Sequence, residues 1–329
     1  MKRIFISLLL FLFMVNLDAK SKQENITVNI IGQDSAVMPS SFSSNNMANK
    51  NDTLPIELKN SIGRVTCEFE PYQIAVSHRG RLVANGELTN KNLCNAFLIK
   101  KKEKLYLISV RHVSKIYKDK TKITIGDGKN KIEMPCKEED FPKKILFQNP
   151  LITEEVIING NNLFTEDSFT QKEKEKVFGK GVTLDVMCLD VTEIGSKDNL
   201  ISYDSLASLE DKEEIDNNIG EVFLCGFPAI AINEKSFNPQ SYENRQCNLK
   251  KPIRFGGLVH LANGEVPPGF FFDAKLDEGD CGRPVILKLK SGYKIIGIFK
   301  TSDVFQGDSL CIDSMAIRFI IDNVYGNKN

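Results

Sequence analysis

Tryptophan is absent from this chain and histidine nearly so: His78, His112 and His260 are the only three among 329 residues. With no tryptophan, 21 Phe and 7 Tyr must supply the bulk of the core. Three histidines leave little room for a zinc site, and neither a metal nor a cofactor is expected. A charge excess is missing too. Lys+Arg and Asp+Glu both number 43, so no surplus of cations exists to neutralise phosphates, which argues against a dedicated nucleic-acid binder. Beyond the first residues, no stretch approaches the ~20 uninterrupted apolar residues of a membrane span. What is present, 41% hydrophobic and 26% charged residues, is the composition of an ordinary globule and excludes collagenous and wholly disordered classes.

The N-terminus reads as an export signal. Lys2 and Arg3 precede an apolar run from Ile4 to Val15, followed by Leu17-Asp18-Ala19, a pattern of removable signal peptides spanning 1–19. The mature product is then secreted or periplasmic, with no stable membrane anchor. Residues 20–58 are rich in Ser, Asn and Lys, as in Ser40-Ser41-Phe42-Ser43-Ser44. They bury too little to offset their ordering entropy and read as a flexible leader or pro-segment. Export permits disulfides, but eight cysteines in this length do not make a disulfide scaffold. Cys188 and Cys225 sit in apolar runs and read as buried thiols. Cys67, Cys94, Cys136, Cys247 and Cys311 form an odd set whose connectivity stays open.

From about Ile62 onward, short β-type runs alternate with turn residues. Ala96-Phe97-Leu98-Ile99 and Leu105–Val110 flank a Lys-rich turn, a hairpin signal. Runs at Glu221–Phe227, Ile253–Leu261, Gly269–Asp273, Pro284–Lys288 and Tyr293–Phe299 continue the texture. From Met315 to Val324 the apolar spacing changes to three and four residues, which predicts a terminal amphipathic helix. The expected fold class is all-β: two antiparallel β-barrels with a C-terminal α-helix. The N-terminal barrel occupies 59–195, a polar connection 196–219, and the C-terminal barrel 220–329.

Three segments can carry chemistry. Tyr106–Val113 is a β-run ending in His112. Leu184–Leu189 is an apolar run opened by Asp185. Glu278-Gly279-Asp280-Cys281-Gly282-Arg283-Pro284 brackets a cysteine with glycines. Acyl transfer requires a nucleophile on a tight turn with backbone N–H groups aimed where the oxyanion develops. Glycines permit such a turn, and the N–H groups of Gly279 and Cys281 are the candidate donors. A thiol needs less activation than a hydroxyl, and an imidazole beside it stabilises the thiolate as an ion pair. His112 is the candidate base and acid, with Asp185 fixing its tautomer. His78 reads as a surface residue. His260 reads as structural, with a specificity role as the alternative.

At these residues the chain resembles the trypsin/chymotrypsin-like peptidases. Gly279-Asp280-Cys281-Gly282-Arg283-Pro284 is similar to the Gly-Asp-Ser-Gly-Gly-Pro nucleophile motif, with cysteine for serine. Leu107–Val113 resembles the histidine motif, and Asp185-Val186-Met187-Cys188-Leu189 the aspartate motif. The order His, Asp, nucleophile is that of the family. Picornaviral-type cysteine peptidases share this frame. The resemblance, covering roughly Ile62 to Val324, implies a chymotrypsin-like fold of two six-stranded barrels and an exported endopeptidase acting through an acyl-enzyme on protein or peptide substrates. It also implies substrate contacts along Gly297, Ile298 and Phe299, and a pocket-floor position at Lys275 that would favour an acidic side chain.

The departures are specific. Arg283 replaces the second glycine and either crowds the site or pairs with Asp280. The 73 residues from His112 to Asp185 (185 − 112) exceed the family's usual spacing, which places an insertion around Asp140–Asp167. Ile62-Gly63 imitates the new N-terminus of an activated zymogen that would face Asp280, but no basic residue immediately precedes it. Two rival readings follow: a non-catalytic pseudopeptidase using the cleft to bind peptides, and an inert protein with Cys281 in a structural disulfide.

Overall fold

The computed structural model describes residues 25–31, 54–69, 72–78, 81–114, 123–125, 130–134, 142–159, 161–194, 198–217, 221–234, 236–251, 254–262, 264–274, 276–301 and 308–326. The signal sequence expected over 1–19 lies outside the described residues, as does most of the leader expected over 20–58. Among the described residues no helix is long and apolar enough to cross a membrane.

The chain is mostly β. In chain order the first strands are β1 (Asn25–Ile31), β2 (Ile62–Glu68), β3 (Tyr72–His78), β4 (Arg81–Lys101), β5 (Lys104–Ser109) and β6 (Ile123–Ile125). Then come β7 (Asn130–Met134), β8 (Lys144–Gln148), β9 (Thr153–Ile157), β10 (Leu163–Phe164), β11 (Met187–Asp190) and β12 (Ile201–Ser202). The last six are β13 (Glu221–Gly226), β14 (Glu243–Asn248), β15 (Gly269–Phe272), β16 (Pro284–Leu289), β17 (Gly292–Thr301) and β18 (Ser309–Asp313). The helices are α1 (Ile56–Ser61), α2 (Gln171–Phe178), α3 (Lys212–Asn217), α4 (Ala229–Ile232) and α5 (Ser314–Gly326).

Two compact units divide these elements. The smaller comprises residues 1–47, 68–92 and 115–142. In it, β1 runs parallel to the first half of β4, β3 pairs antiparallel with that same half, and β7 joins β3 to β6.

The larger unit holds residues 48–67, 93–114 and 143–329. It contains two curled antiparallel sheets, each a half-barrel. The first follows the order β10-β11-β5-β4-β2-β8-β9, and the second the order β14-β13-β16-β17-β18-β15. The stretch between His112 and Asp185 is built partly as the β8–β9 hairpin and as α2. α5 covers the predicted terminal segment and buries Ala316, Ile317, Phe319, Ile320, Ile321 and Val324. Each large apolar side chain so buried contributes about 1.5–3 kcal/mol. Phe319 meets Phe169 and Phe178 edge-on at 5.2 and 5.5 Å. The Asp313 carboxylate accepts from Met315 N–H at 2.9 Å, which satisfies a free donor in the first turn of α5.

Two local expectations change. Ile253–Leu261 is not a strand: its described residues carry only an isolated bridge at Leu258. Phe255 N–H and Gly256 N–H go to the side chains of Asp216 and Asp313, while Gly257 O, Val259 N–H and Leu261 N–H pair with the backbone of Gly269, Pro267 and Glu265, and Gly256 turns the chain at φ +74°. Residues 196–219 are also more than a connection. Their described part holds β12, two 3-10 turns and α3, whose Ile215 is fully buried.

Candidate active site

The antiparallel register of β5 and β11 explains how distant residues meet. Ser109 pairs with Met187, and Leu107 with Leu189. His112 follows the end of β5 and Asp185 precedes the start of β11, so both emerge at the same end of the ladder. Arg111 N–H donates to Asp185 O at 3.2 Å and ties the two connections together. His112 sits on the 3-10 turn Arg111–Ser114. Glu166 braces both sides of this pair, with one carboxylate oxygen on the Arg111 guanidinium and the other accepting from Leu184 N–H at 2.6 Å.

Asp185 grips His112 twice. Its Oδ1 accepts from the His112 backbone N–H at 2.9 Å, and its Oδ2 lies 2.8 Å from Nδ1 of the ring. The ring is therefore held with Nε2 free for another partner. The Cys281 side chain is near enough to the imidazole to act on its charge. Burial opposes protonation of His112. The Asp185 charge and hydrogen bond outweigh that, with a contribution from Cys281, and raise its pKa well above the ordinary histidine value. Burial likewise opposes ionisation of Asp185, yet His112, and behind it Lys300, hold its carboxyl down at about 2.

Cys281 follows a single 3-10 turn, Glu278–Asp280, and leads into β16. Its thiol donates to Lys300 O at 3.0 Å. The loop is fixed from beneath by Asn95, a fully buried residue whose N–H donates to Cys281 O at 2.9 Å and whose Nδ2 donates to Gly279 O at 3.2 Å. The same side chain donates to Phe227 O and accepts from Phe227 N–H. Gly282 adopts φ +84°, and a Cβ there would fall 2.0 Å from Asn95 O and 2.8 Å from Ser109 Oγ. Only glycine allows this close approach. Gly279 is similarly confined, since a Cβ would lie 2.9 Å from Ala229 Cα on α4.

Arg283 does not crowd the site. Its side chain is fully buried, and Nη1 lies 2.9 Å from both Asp280 Oδ1 and Glu243 Oε1 while Nη2 donates to Leu224 O at 3.0 Å. Asp280 also accepts from Ala229 N–H and Asp277 N–H. The cation facing Asp280 is thus an internal guanidinium. Ile62 is the continuation of α1 into β2, buried within the chain.

The structure brings His112, Asp185 and Cys281 together, with Gly279 two residues before the sulfur. Gly297, Ile298 and Phe299 are interior to β17. Gly297 and Ile298 pair with both β16 and β18, and Phe299 N–H and O are engaged by Arg283 and Gly282. Their backbone is engaged within the sheet. Lys275 lies outside the described residues. His260 is exposed, and His78 lies on β3 of the smaller unit. All seven described cysteines are free thiols, Cys281 included. Burial pushes Cys67 and Cys225 up to about 12, as inert core thiols require.

Sequence reasoning missed two residues. Asn95 carried a signal, a polar side chain inside the apolar run Leu93–Ile99. Lys300 is the second: its side chain is only 9% exposed, with Nζ 3.6 Å from Asp185 Oδ2 and paired closely with Glu265. A lysine directly after Ile298-Phe299 was the available sign.

No family model matches the chain, and no curated protein matches it. Among solved structures it is similar to the active form of the Rv3671c protease from M. tuberculosis, at 10% identity over 82% of each chain and a TM-score of 0.44. It is similar also to the serine endoprotease from Yersinia pestis, at 11% identity over 83% of this chain and 67% of that one, TM-score 0.41. Product-bound tobacco etch virus protease gives 9% identity over 80% and 77%, TM-score 0.40.

Proposed function

We propose that this chain is a chymotrypsin-like endopeptidase with a cysteine nucleophile, exported through residues 1–19. The observation that carries the reading is the His112 ring, clamped by Asp185 at 2.8 Å on Nδ1, with Cys281 among the groups near enough to act on its charge. His112 takes the thiol proton as the sulfur attacks the scissile carbonyl carbon, and the N–H groups of Gly279 and Cys281 receive the oxyanion. The protonated ring then gives its proton to the departing amine, which leaves a thioester on Cys281. Water, deprotonated by His112, attacks that thioester. Collapse releases the carboxyl product and returns the proton to sulfur. Asp185 keeps the ring in the tautomer that this sequence needs.

Substrate backbone pairing falls to the end of β17 beyond the last β16 pair, Pro284↔Ile298, rather than to its interior. Lys275 remains the proposed floor of the primary pocket, with an acidic side chain as its partner. The proposal is tested by peptide cleavage with wild type, Cys281→Ala and Cys281→Ser. Cleavage abolished in alanine and strongly reduced in serine supports it. Equal cleavage by wild type and Cys281→Ala would refute it.

A further inference from the structure

Behind the His112–Asp185 pair stand two more charges that the reaction as described does not use. Lys300 Nζ approaches Asp185 Oδ2, the same oxygen that holds His112 Nδ1. On its other side Lys300 pairs with Glu265, whose side chain is 39% exposed, in the loop before β15. The backbone of Lys300 is engaged as well, since its carbonyl accepts the Cys281 thiol. Among the described residues, the charged and titratable groups around this row are few. Asp185 and Cys281 face His112. His112 and Lys300 face Asp185. Asp185 and Glu265 face Lys300. The neighbouring Arg111 is directed to Glu166 and Asp167.

We propose that Lys300 and Glu265 extend the His112–Asp185 pair into a four-member row of alternating charge, in which Lys300 is a positioning residue that sets how firmly His112 holds its proton. An imidazolium is stabilised by the negative charge on Asp185 Oδ2, and a lysine ammonium 3.6 Å from that oxygen draws on the same charge. Lys300 therefore opposes protonation of His112, and Glu265 moderates Lys300. The consequence is a base that the aspartate orients without being locked permanently in its charged form. Because Glu265 is the exposed end of the row, a change at the surface is felt at the ring through two intervening charges.

This inference rests on the reading of His112 as the site's base, but its test does not need cleavage. The chain has three histidines, so imidazole resonances can be titrated by NMR, with His112→Ala identifying the relevant signal. Lys300→Met should raise the His112 midpoint by roughly one pH unit, and Glu265→Gln should lower it by roughly half a unit. Lys300→Arg, which keeps the charge, should stay nearer wild type than Lys300→Met. Opposite signs for Lys300→Met and Glu265→Gln are the signature, because loosened packing would not produce them. Shifts of the same sign, or an unmoved midpoint in both, overturn the row. Should Lys300→Met fail to fold, Glu265→Gln decides alone: a lowered midpoint supports the row and an unchanged one refutes it. Opposite shifts in a chain that cleaves nothing support the row and refute the peptidase reading. Cleavage without shifts does the reverse.

Discussion

Two cations flank Cys281, and they are built alike but used differently. Arg283 lies between Asp280 and Glu243, and Lys300 between Asp185 and Glu265. In each cluster the cation is buried, one carboxylate is nearly buried and the other is close to 40% exposed. The difference is in the head group. The Arg283 guanidinium spreads fixed donors over two carboxylates and the Leu224 carbonyl, so it holds the nucleophile loop in one shape. Lys300 is a point charge against an oxygen already bound to His112, and in the proposed row it acts on the proton balance of the site. In the proposed mechanism, one cluster fixes where the sulfur sits, and the other adjusts the base that would activate it.

The contrast can be broken at several points. Asp185→Asn removes the anchor of the Lys300 cluster and the tautomer control of His112. It should lower kcat by about 10³–10⁴-fold with the fold retained, measured as steady-state cleavage alongside circular dichroism. Arg283→Met should instead appear in stability. It leaves Asp280 buried without its cation and should cost about 3–5 kcal/mol in denaturant unfolding, and Arg283→Lys should recover only part because the fork is lost. Asn95→Ala tests the floor beneath the Cys281 loop. Leaving the Gly279 and Phe227 peptide groups unpaired should cost about 1–3 kcal/mol and reduce cleavage as the loop loosens. Smallest is Glu243→Gln, the exposed arm of the Arg283 cluster, expected within about 1 kcal/mol of wild type.

The buried carboxylates give the comparison a pH axis. Asp185 is held at about 2, below the ordinary carboxyl range, so its contribution to stability is present above about pH 4 and is lost as pH falls toward 2. Asp313 runs the other way. Burial raises it to about 6 against the N–H groups of Gly256 and Met315. Its contribution is greatest below about pH 4, declines between 4 and 6, and is flat above. Asp313→Asn should abolish that decline, on the order of 2 kcal/mol, in unfolding curves recorded across the interval.

Much of this was legible in the sequence, because strand texture, the terminal helical period and three ordered motifs are local signals. They led to His112, Asp185 and Cys281. Lys300 and Glu265 escaped because their pairing depends on how β17 and a loop 35 residues earlier fold together, and no spacing rule encodes that. Arg283 was read as either an obstruction or a partner of Asp280; burial beneath the loop decided for the partner. Ile253–Leu261 looked like a strand because its composition is apolar, but side chains of Asp216 and Asp313 take the N–H groups of Phe255 and Gly256, which leaves only scattered backbone pairs with residues 265–269.

The central claim is that the Cys281 sulfur is the reactive one, and that His112 makes it so. The direct measurement is limiting iodoacetamide followed by intact-mass analysis and peptide mapping, on wild type and His112→Ala. The account predicts a single label on Cys281 in the wild type, formed many-fold more slowly in His112→Ala, while the core thiols stay unmodified. A label spread over other cysteines, or a Cys281 rate indifferent to His112, would contradict it.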